Sequence, residues 1–174
     1  MEFQIGDTIV HPGYGAGKVV DIEKLSCLGS DKSYYSIRLL DGSETQVWVP
    51  VQDAEKKGIR PPIASSQLSK VWRLLRAQPK TLPSDHQQRY GIVRQKLENG
   101  DVLQIAEALR DLSWKDYHVR SLTSEGKRLY DKAMKLLSTE VALVRGSDPD
   151  RVESQISRIL DENIAHRAAI SSQQ

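Results

Sequence analysis

Apolar positions change their spacing partway along this chain. Through residue 50 they fall in short β-branched runs that alternate with polar positions, the period of a half-buried strand. Asp7-Thr8-Ile9-Val10-His11 is closed by Pro12. Between Gly15 and Ser26, the run Lys18-Val19-Val20-Asp21-Ile22-Glu23 sets Val20 and Ile22 against charged neighbours. Tyr34-Tyr35-Ser36-Ile37-Arg38-Leu39 follows, and Asp41-Gly42 marks a tight turn into Glu44-Thr45-Gln46-Val47-Trp48-Val49-Pro50. In that last run Val47 and Val49 share the expected core face, which turns Gln46, Trp48 and Pro50 outward. Four or five short strands punctuated by Gly, Asp and Pro predict a small curled antiparallel sheet of the SH3 or Tudor type. Such a sheet has too little area for a deep core and is stabilised by curling and by packing on a neighbour.

Gly58-Ile59-Arg60-Pro61-Pro62 breaks the pattern, and beyond it the period becomes about 3.6, that of a helix. Ser66 caps a helix to about Arg76 with Leu68, Val71, Trp72 and Leu75 on one face. Ser84 and Gln87 have capping-box spacing for a second helix, which ends at Asn99-Gly100. Asp101 caps a third, striped by Val102, Ile105, Ala106, Leu109 and Leu112. Thr123 opens a long fourth helix with Tyr130, Ala133, Leu137, Val141 and Val144 inward, closing at Gly146. Asp148-Pro149 starts the last, with Val152, Ile156 and Ile159 inward. The prediction is α+β: a β module over 1–58, a linker over 59–65, an all-α bundle of about five helices over 66–165, and a frayed tail over 166–174.

Charge adds a middle segment of distinct character. Residues 1–62 hold 7 Lys+Arg against 9 Asp+Glu, residues 70–135 hold 14 against 8, and the remainder 4 against 6. A basic block between mildly acidic ones suits contact with a polyanion, although a solvated helical surface has the same composition. No apolar stretch is long enough to span a membrane. No basic segment leading into an apolar one suggests a secretory signal, so a cytoplasmic setting is expected. The single Cys27 allows no internal disulfide and no cysteine-based zinc site; it is expected as a small apolar filler.

Chemistry is hard to find in the sequence. Gly13-Tyr14-Gly15-Ala16-Gly17-Lys18 lacks the glycine and hydroxyl residue that a phosphate loop needs at Pro12 and Val19, so its glycines are read as turn and packing residues. His11, His86, His118 and His166 lie in separate segments without ligand spacing, and no metal or other cofactor is expected. No nucleophile with a positioned base stands out, so an enzyme is not expected. Trp72 is placed in the core, and Trp114 lies either in the core or as a wedge near a helix end. The outward Trp48 is a candidate partner contact. Arg89, Arg94 and Lys96 follow the predicted start of the second helix, and Lys127-Arg128 lies at the start of the fourth, a natural setting for phosphate contact or for ordinary surface charge.

Gly6-Asp7-Thr8-Ile9-Val10-His11-Pro12-Gly13-Tyr14-Gly15-Ala16-Gly17 resembles the opening of the CarD/CdnL family of bacterial RNA polymerase-binding transcription regulators, a module similar to the polymerase-interacting domain of transcription-repair coupling factors. Val71-Trp72-Arg73-Leu74-Leu75, Gln88-Arg89-Tyr90, Leu97-Glu98-Asn99-Gly100-Asp101, Ala106–Leu112 and Leu122–Arg128 resemble that family's helical domain, in the same order. The resemblance implies that the β module binds the lobe of the polymerase β subunit, here through Lys24, Leu25, Gln46 and Trp48. It implies that the bundle contacts promoter DNA at the upstream edge of the bubble through His86, Arg89, Tyr90, Arg94, Lys127 and Arg128, modulating open-complex stability. His86 stands where several members carry a wedge tryptophan, and Gly91 where a basic residue is common. Those departures leave a second expectation, a polymerase-bound adaptor whose bundle binds protein. No heptad seam suggests a dimer, so a monomer associated with the nucleoid through polymerase is expected.

Overall fold

Ile9, Val19, Tyr35, Ile37 and Val49 are each 2% exposed or less and meet inside one curled sheet. Its strands are β1 (Thr8–His11), β2 (Gly15–Cys27), β3 (Ser30–Leu39) and β4 (Gln46–Pro50), paired antiparallel in sequence order. The computed structural model describes residues 2–27, 30–119 and 121–171, and the side chain of Cys27 lies outside the described part. Within the described residues the sheet is followed by five α-helices, so the α+β prediction holds.

Three details of the sheet differ from the prediction. β2 and β3 are 13 and 10 residues long, not short. The loop around Asp41-Gly42 spans 40–45 and is closed by the Leu39 N–H donating to the Thr45 carbonyl at 3.1 Å. Val19, not Val20, fills the core, while Ile22 is 38% exposed. The register shifts between Val19 and Asp21, so Val20 is an extra residue on β2. A bulge resets inward and outward positions, which strict alternation cannot anticipate.

Close packing explains the glycines of the first turn. A Cβ on Gly17 would stand 2.6 Å from Ile37 Cγ2, and one on Gly15, at φ +86°, 3.0 Å from Thr139 Oγ1. They serve the approach of backbone to side chains and not a phosphate.

The helices are α1 (Leu68–Arg76), α2 (His86–Glu98), α3 (Val102–Val119), α4 (Ser124–Arg145) and α5 (Pro149–Ser171). Asp101 caps α3 by accepting from the Leu103 and Gln104 amides at 2.9 Å, and Thr123 caps α4 by accepting from Gly126. Two predicted caps do not form. Residues 65–67 make one 3-10 turn ahead of α1, where Ser66 contributes only a carbonyl to Ser69 Oγ. At α2 the cap is Asp85, whose carboxylate accepts the Gln88 N–H at 2.8 Å. A carboxylate complements the helix N-terminus better than the hydroxyl one residue earlier, and the chain takes that register. The apolar stripes of α1–α5 converge on Leu75, Val93, Leu109, Leu112, Leu137 and Ile156, all fully buried.

The segment expected as a linker is built into the structure. Ile59 packs in the sheet core, and Val10 and Arg60 exchange backbone hydrogen bonds at 2.8 and 3.1 Å. The Arg60 guanidinium then donates to both carboxylate oxygens of Glu140 on α4, at 2.7 and 2.8 Å, and to the Gly100 carbonyl. Asp41 of the β3–β4 loop meets Lys135 of α4 at 2.6 Å. Sheet and bundle are thus joined by two charged contacts on one helix. α5 continues through the segment expected to fray as far as Ser171, and residues 172–174 lie outside the described part.

Candidate functional site

Alternation and register define an outward sheet face. Across β4, β3 and β2 the aligned rows are Gln46–Arg38–Lys18, Trp48–Ser36–Asp21 and Pro50–Tyr34–Glu23. Trp48 is 47% exposed there, while Val47 and Val49 pack inward as expected. Leu25, 39% exposed, lies farther along the β2–β3 hairpin opposite Lys32, two residues beyond Glu23 and so on the same face. Lys24 pairs with Ser33 and takes the other face. Three of the four residues assigned to polymerase binding share one surface, and Lys24 borders it.

The second group gathers where the first turns of α2 and α4 meet. Tyr90 Oη lies 2.5 Å from Thr123 Oγ1, and a Cβ on Gly126 would stand 2.6 Å from that same Oη. Arg94 forms an ion pair with Glu125. His86, Lys127 and Arg128 are exposed at this junction. Two other members are not. Tyr90 is 3% exposed and holds the two helix starts together. Arg89 is 4% exposed, and its guanidinium donates to the Pro83 and Ser84 carbonyls at 2.7 and 2.9 Å and to His86 Nδ1 at 2.6 Å. Because guanidinium only donates, Nδ1 of His86 is the acceptor and the ring carries its proton on Nε2. Arg89 is therefore a positioning residue for His86 and its loop, engaged where a phosphate clamp would need it open. Gly91 has open space around its Cβ position.

Charge around these surfaces is tuned locally. Burial works against the Asp41 carboxylate, but the Lys135 ammonium and the Ser43 hydroxyl and amide outweigh it and hold it down to about 2. His11, in the turn packed on α4, is pushed below the ordinary histidine value by burial and then by the charges of Lys57 and Lys132. Its Nδ1 accepts the Gly13 N–H at 3.0 Å, a bond available only to the neutral ring. Tyr130 is raised to about 12 by burial and then by Asp161, Asp116 and Asp131. Asp116 and Asp131 line the same small cavity as Lys127, which places acidic groups beside that cation.

Sequence reasoning missed three features. Arg60 and Glu140 carry no local signal, since their partners are 80 residues apart. Trp72 is half-buried against the bundle core, with the Arg145 guanidinium 5.9 Å from its ring, and is not wholly internal. Trp114 is half-buried near the end of α3, flanked by Tyr117 at 5.7 Å and His118 at 4.4 Å. Their spacing of three and four residues was the available sign that these rings share one helix face.

Among the described residues no helix is long and apolar enough to cross a membrane, and no group of three or more His, Cys, Asp or Glu could hold a metal ion. The architecture is a curled sheet that exposes Trp48 on its outward face, fastened to a bundle bearing cations at one pole. Residues 3–63 match the family model described as CarD-like/TRCF RID domain, and residues 70–157 the model described as CarD, C-terminal domain. Over 152 residues, 87% of this chain and 98% of the relative, it is 29% identical to the Bacillus subtilis (strain 168) protein named "Putative transcription factor YdeB". The chain belongs to the CarD family of transcription regulators, and the match over residues 3–63 places its sheet within the domain that this family shares with the RNA polymerase-interacting module of transcription-repair coupling factors.

Proposed function

We propose that this protein docks the outward face of its sheet on the lobe of the RNA polymerase β subunit and presents the α2–α4 junction to promoter DNA. The contact lies at the upstream edge of the transcription bubble and modulates open-complex stability. The observation that carries this reading is the double fastening of sheet to bundle, Arg60 to Glu140 and Asp41 to Lys135. A surface held on polymerase thereby fixes where the exposed His86, Lys127 and Arg128 are delivered. Tethering makes the DNA contact effectively intramolecular, so a weak grip suffices. A factor with greater affinity for the open promoter than for the closed one shifts the equilibrium by that difference.

In this reading Trp48, Leu25 and Gln46 supply the polymerase contact with Lys24 at its edge, and Lys127, Arg128 and Arg94 meet phosphates. His86 offers an imidazole of roughly half the area of indole, so it makes a shallow wedge or a hydrogen-bond donor through Nε2. Arg89 and Tyr90 set the geometry of that contact. The protein acts as a cytoplasmic monomer that joins the nucleoid through polymerase. Burial of Arg89 favours a second reading, a polymerase-bound adaptor whose bundle grips protein and not DNA.

Open-complex lifetime with the cognate polymerase tests the first reading. His86→Ala shortens it relative to wild type, and His86→Trp lengthens it. Lifetimes unchanged in both, with β-lobe binding intact, leave the adaptor reading standing.

A further inference from the structure

The α2–α4 junction continues around the same pole of the bundle into an aromatic and cationic surface that the proposed function leaves unused. α3 ends at Val119 and α4 begins at Ser124, with the Leu122 N–H donated to the Asp116 carboxylate at 2.8 Å across that turn. The end of α3 is therefore next to the start of α4, and α5, packed against α4 and α3, brings Ile170 to Trp114. The Trp114 indole lines two cavities. A cavity of ≈ 500 Å³ is shared with Pro79, Thr81 and Ile170, and one of ≈ 200 Å³ with Lys80, Lys115 and His118. Tyr117 and Ile170 are 49% and 47% exposed beside it.

Cations line the side of this surface formed by Trp114 and His118. Lys80 is 69% exposed and lies a loose 3.9 Å from Glu107, whose carboxylate is held closer, at 2.9 Å, by Lys96. The one carboxylate lining the smaller cavity, Asp111, is 2% exposed and engaged by Arg110 and the Lys80 amide. Asp116, which accepts the Leu122 N–H, and Asp161 line the far side of Tyr117, so the cations lie on the Trp114–His118 side. Solvent-facing rings with cations alongside are the components of a stacking platform for unpaired bases. A duplex offers only its outer edges to such rings, whereas an unpaired base offers a flat face and a phosphate on either side.

We infer that Trp114, Tyr117 and His118 stack on an unpaired base of single-stranded DNA, with Lys80 and Lys115 on the flanking phosphates. This rests on the promoter-DNA reading and specifies its ligand. The junction at Lys127 takes duplex, and the neighbouring platform takes the melted strand.

Fluorescence anisotropy of the full chain with labelled oligo-dT, oligo-rU and duplex DNA tests it. Trp114→Ala weakens oligo-dT binding by roughly 5- to 100-fold, Trp114→Phe keeps most of the affinity, and duplex binding changes by no more than about twofold. Lys115→Ala lowers the salt slope for oligo-dT by about one phosphate. Should Trp114→Ala unfold, Tyr117→Ala and His118→Ala, both at exposed positions, decide the matter with the same expected selectivity. Wild type failing to bind oligo-dT, variants binding it as wild type does, or equal losses on duplex all overturn the platform. Tighter binding to oligo-rU overturns its assignment to DNA. If duplex binding persists and depends on Lys127 while the Trp114 variants are silent, only the platform fails. If duplex binding is absent, the promoter-DNA reading fails with it.

Discussion

The guanidinium of Arg60 lies in a fork against the carboxylate of Glu140, with N–O distances of 2.7 and 2.8 Å, where the sheet meets the bundle. The acid side chain is 1% exposed and the arginine 27%. Glu140 also accepts the Ile63 N–H at 3.0 Å, so one buried carboxylate orders both the end of the sheet module and the start of the helical chain. A paired buried charge adds little by itself, but an orphaned one is costly.

Removing the cation therefore costs more than the contact is worth. Arg60→Ala lowers unfolding free energy by about 3 kcal/mol, read by urea denaturation, and Arg60→Ala combined with Glu140→Gln recovers part of the loss. Additive losses in that cycle would mean that the two side chains do not interact in solution.

Trp48 is exposed on a sheet whose core lies on the opposite face, so its truncation separates binding from folding. Trp48→Ala changes stability by no more than about 0.5 kcal/mol. It weakens calorimetric binding to the β lobe by about 2 kcal/mol if the indole is a central anchor. An unchanged titration removes Trp48 from the interface.

Arg89 and Lys127 part company in the structure, and their variants should too. Lys127→Ala reduces the slope of DNA affinity against salt by about one phosphate and leaves the melting temperature in place. Arg89→Ala loosens the Pro83–Ser84 loop and frees His86, lowering the melting temperature without the same change in slope. A salt-slope change in Arg89→Ala equal to that in Lys127→Ala would show that its guanidinium swings out to meet phosphate.

Asp41 links stability to acid. Its carboxyl is held at about 2, below the usual 3.8, so the charged form is favoured in the folded state. Its contribution is complete above about pH 4 and is lost as pH falls towards 2. Since Lys135 is 57% exposed and screened, the loss is on the order of 1 kcal/mol. Asp41→Asn removes that part of the pH dependence. Parallel stability curves for wild type and Asp41→Asn between those limits would contradict the ion pair.

Local pattern carried most of the fold. Alternation placed Val47, Val49 and Trp48 on their correct faces, and 3.6-residue spacing found the stripes of α1, α3, α4 and α5, because burial of one face imposes its period on the chain. Caps were legible at Asp101 and Thr123. At α2, adjacent Ser84 and Asp85 both fit, and folding chose the carboxylate. The site was less legible. Arg89 reads in sequence as a cation available to phosphate, and only the backbone path of the preceding loop turns it inward onto two carbonyls.

Sequence alone determined that a period-two module precedes a period-3.6 bundle, since that depends only on neighbours along the chain. Tertiary structure decided the bulge at Val20, the orientation of sheet on bundle through Arg60 and Glu140, and which cations stay in solvent. Those depend on groups far apart in sequence coming within a hydrogen bond's length, and no local spacing encodes such a distance.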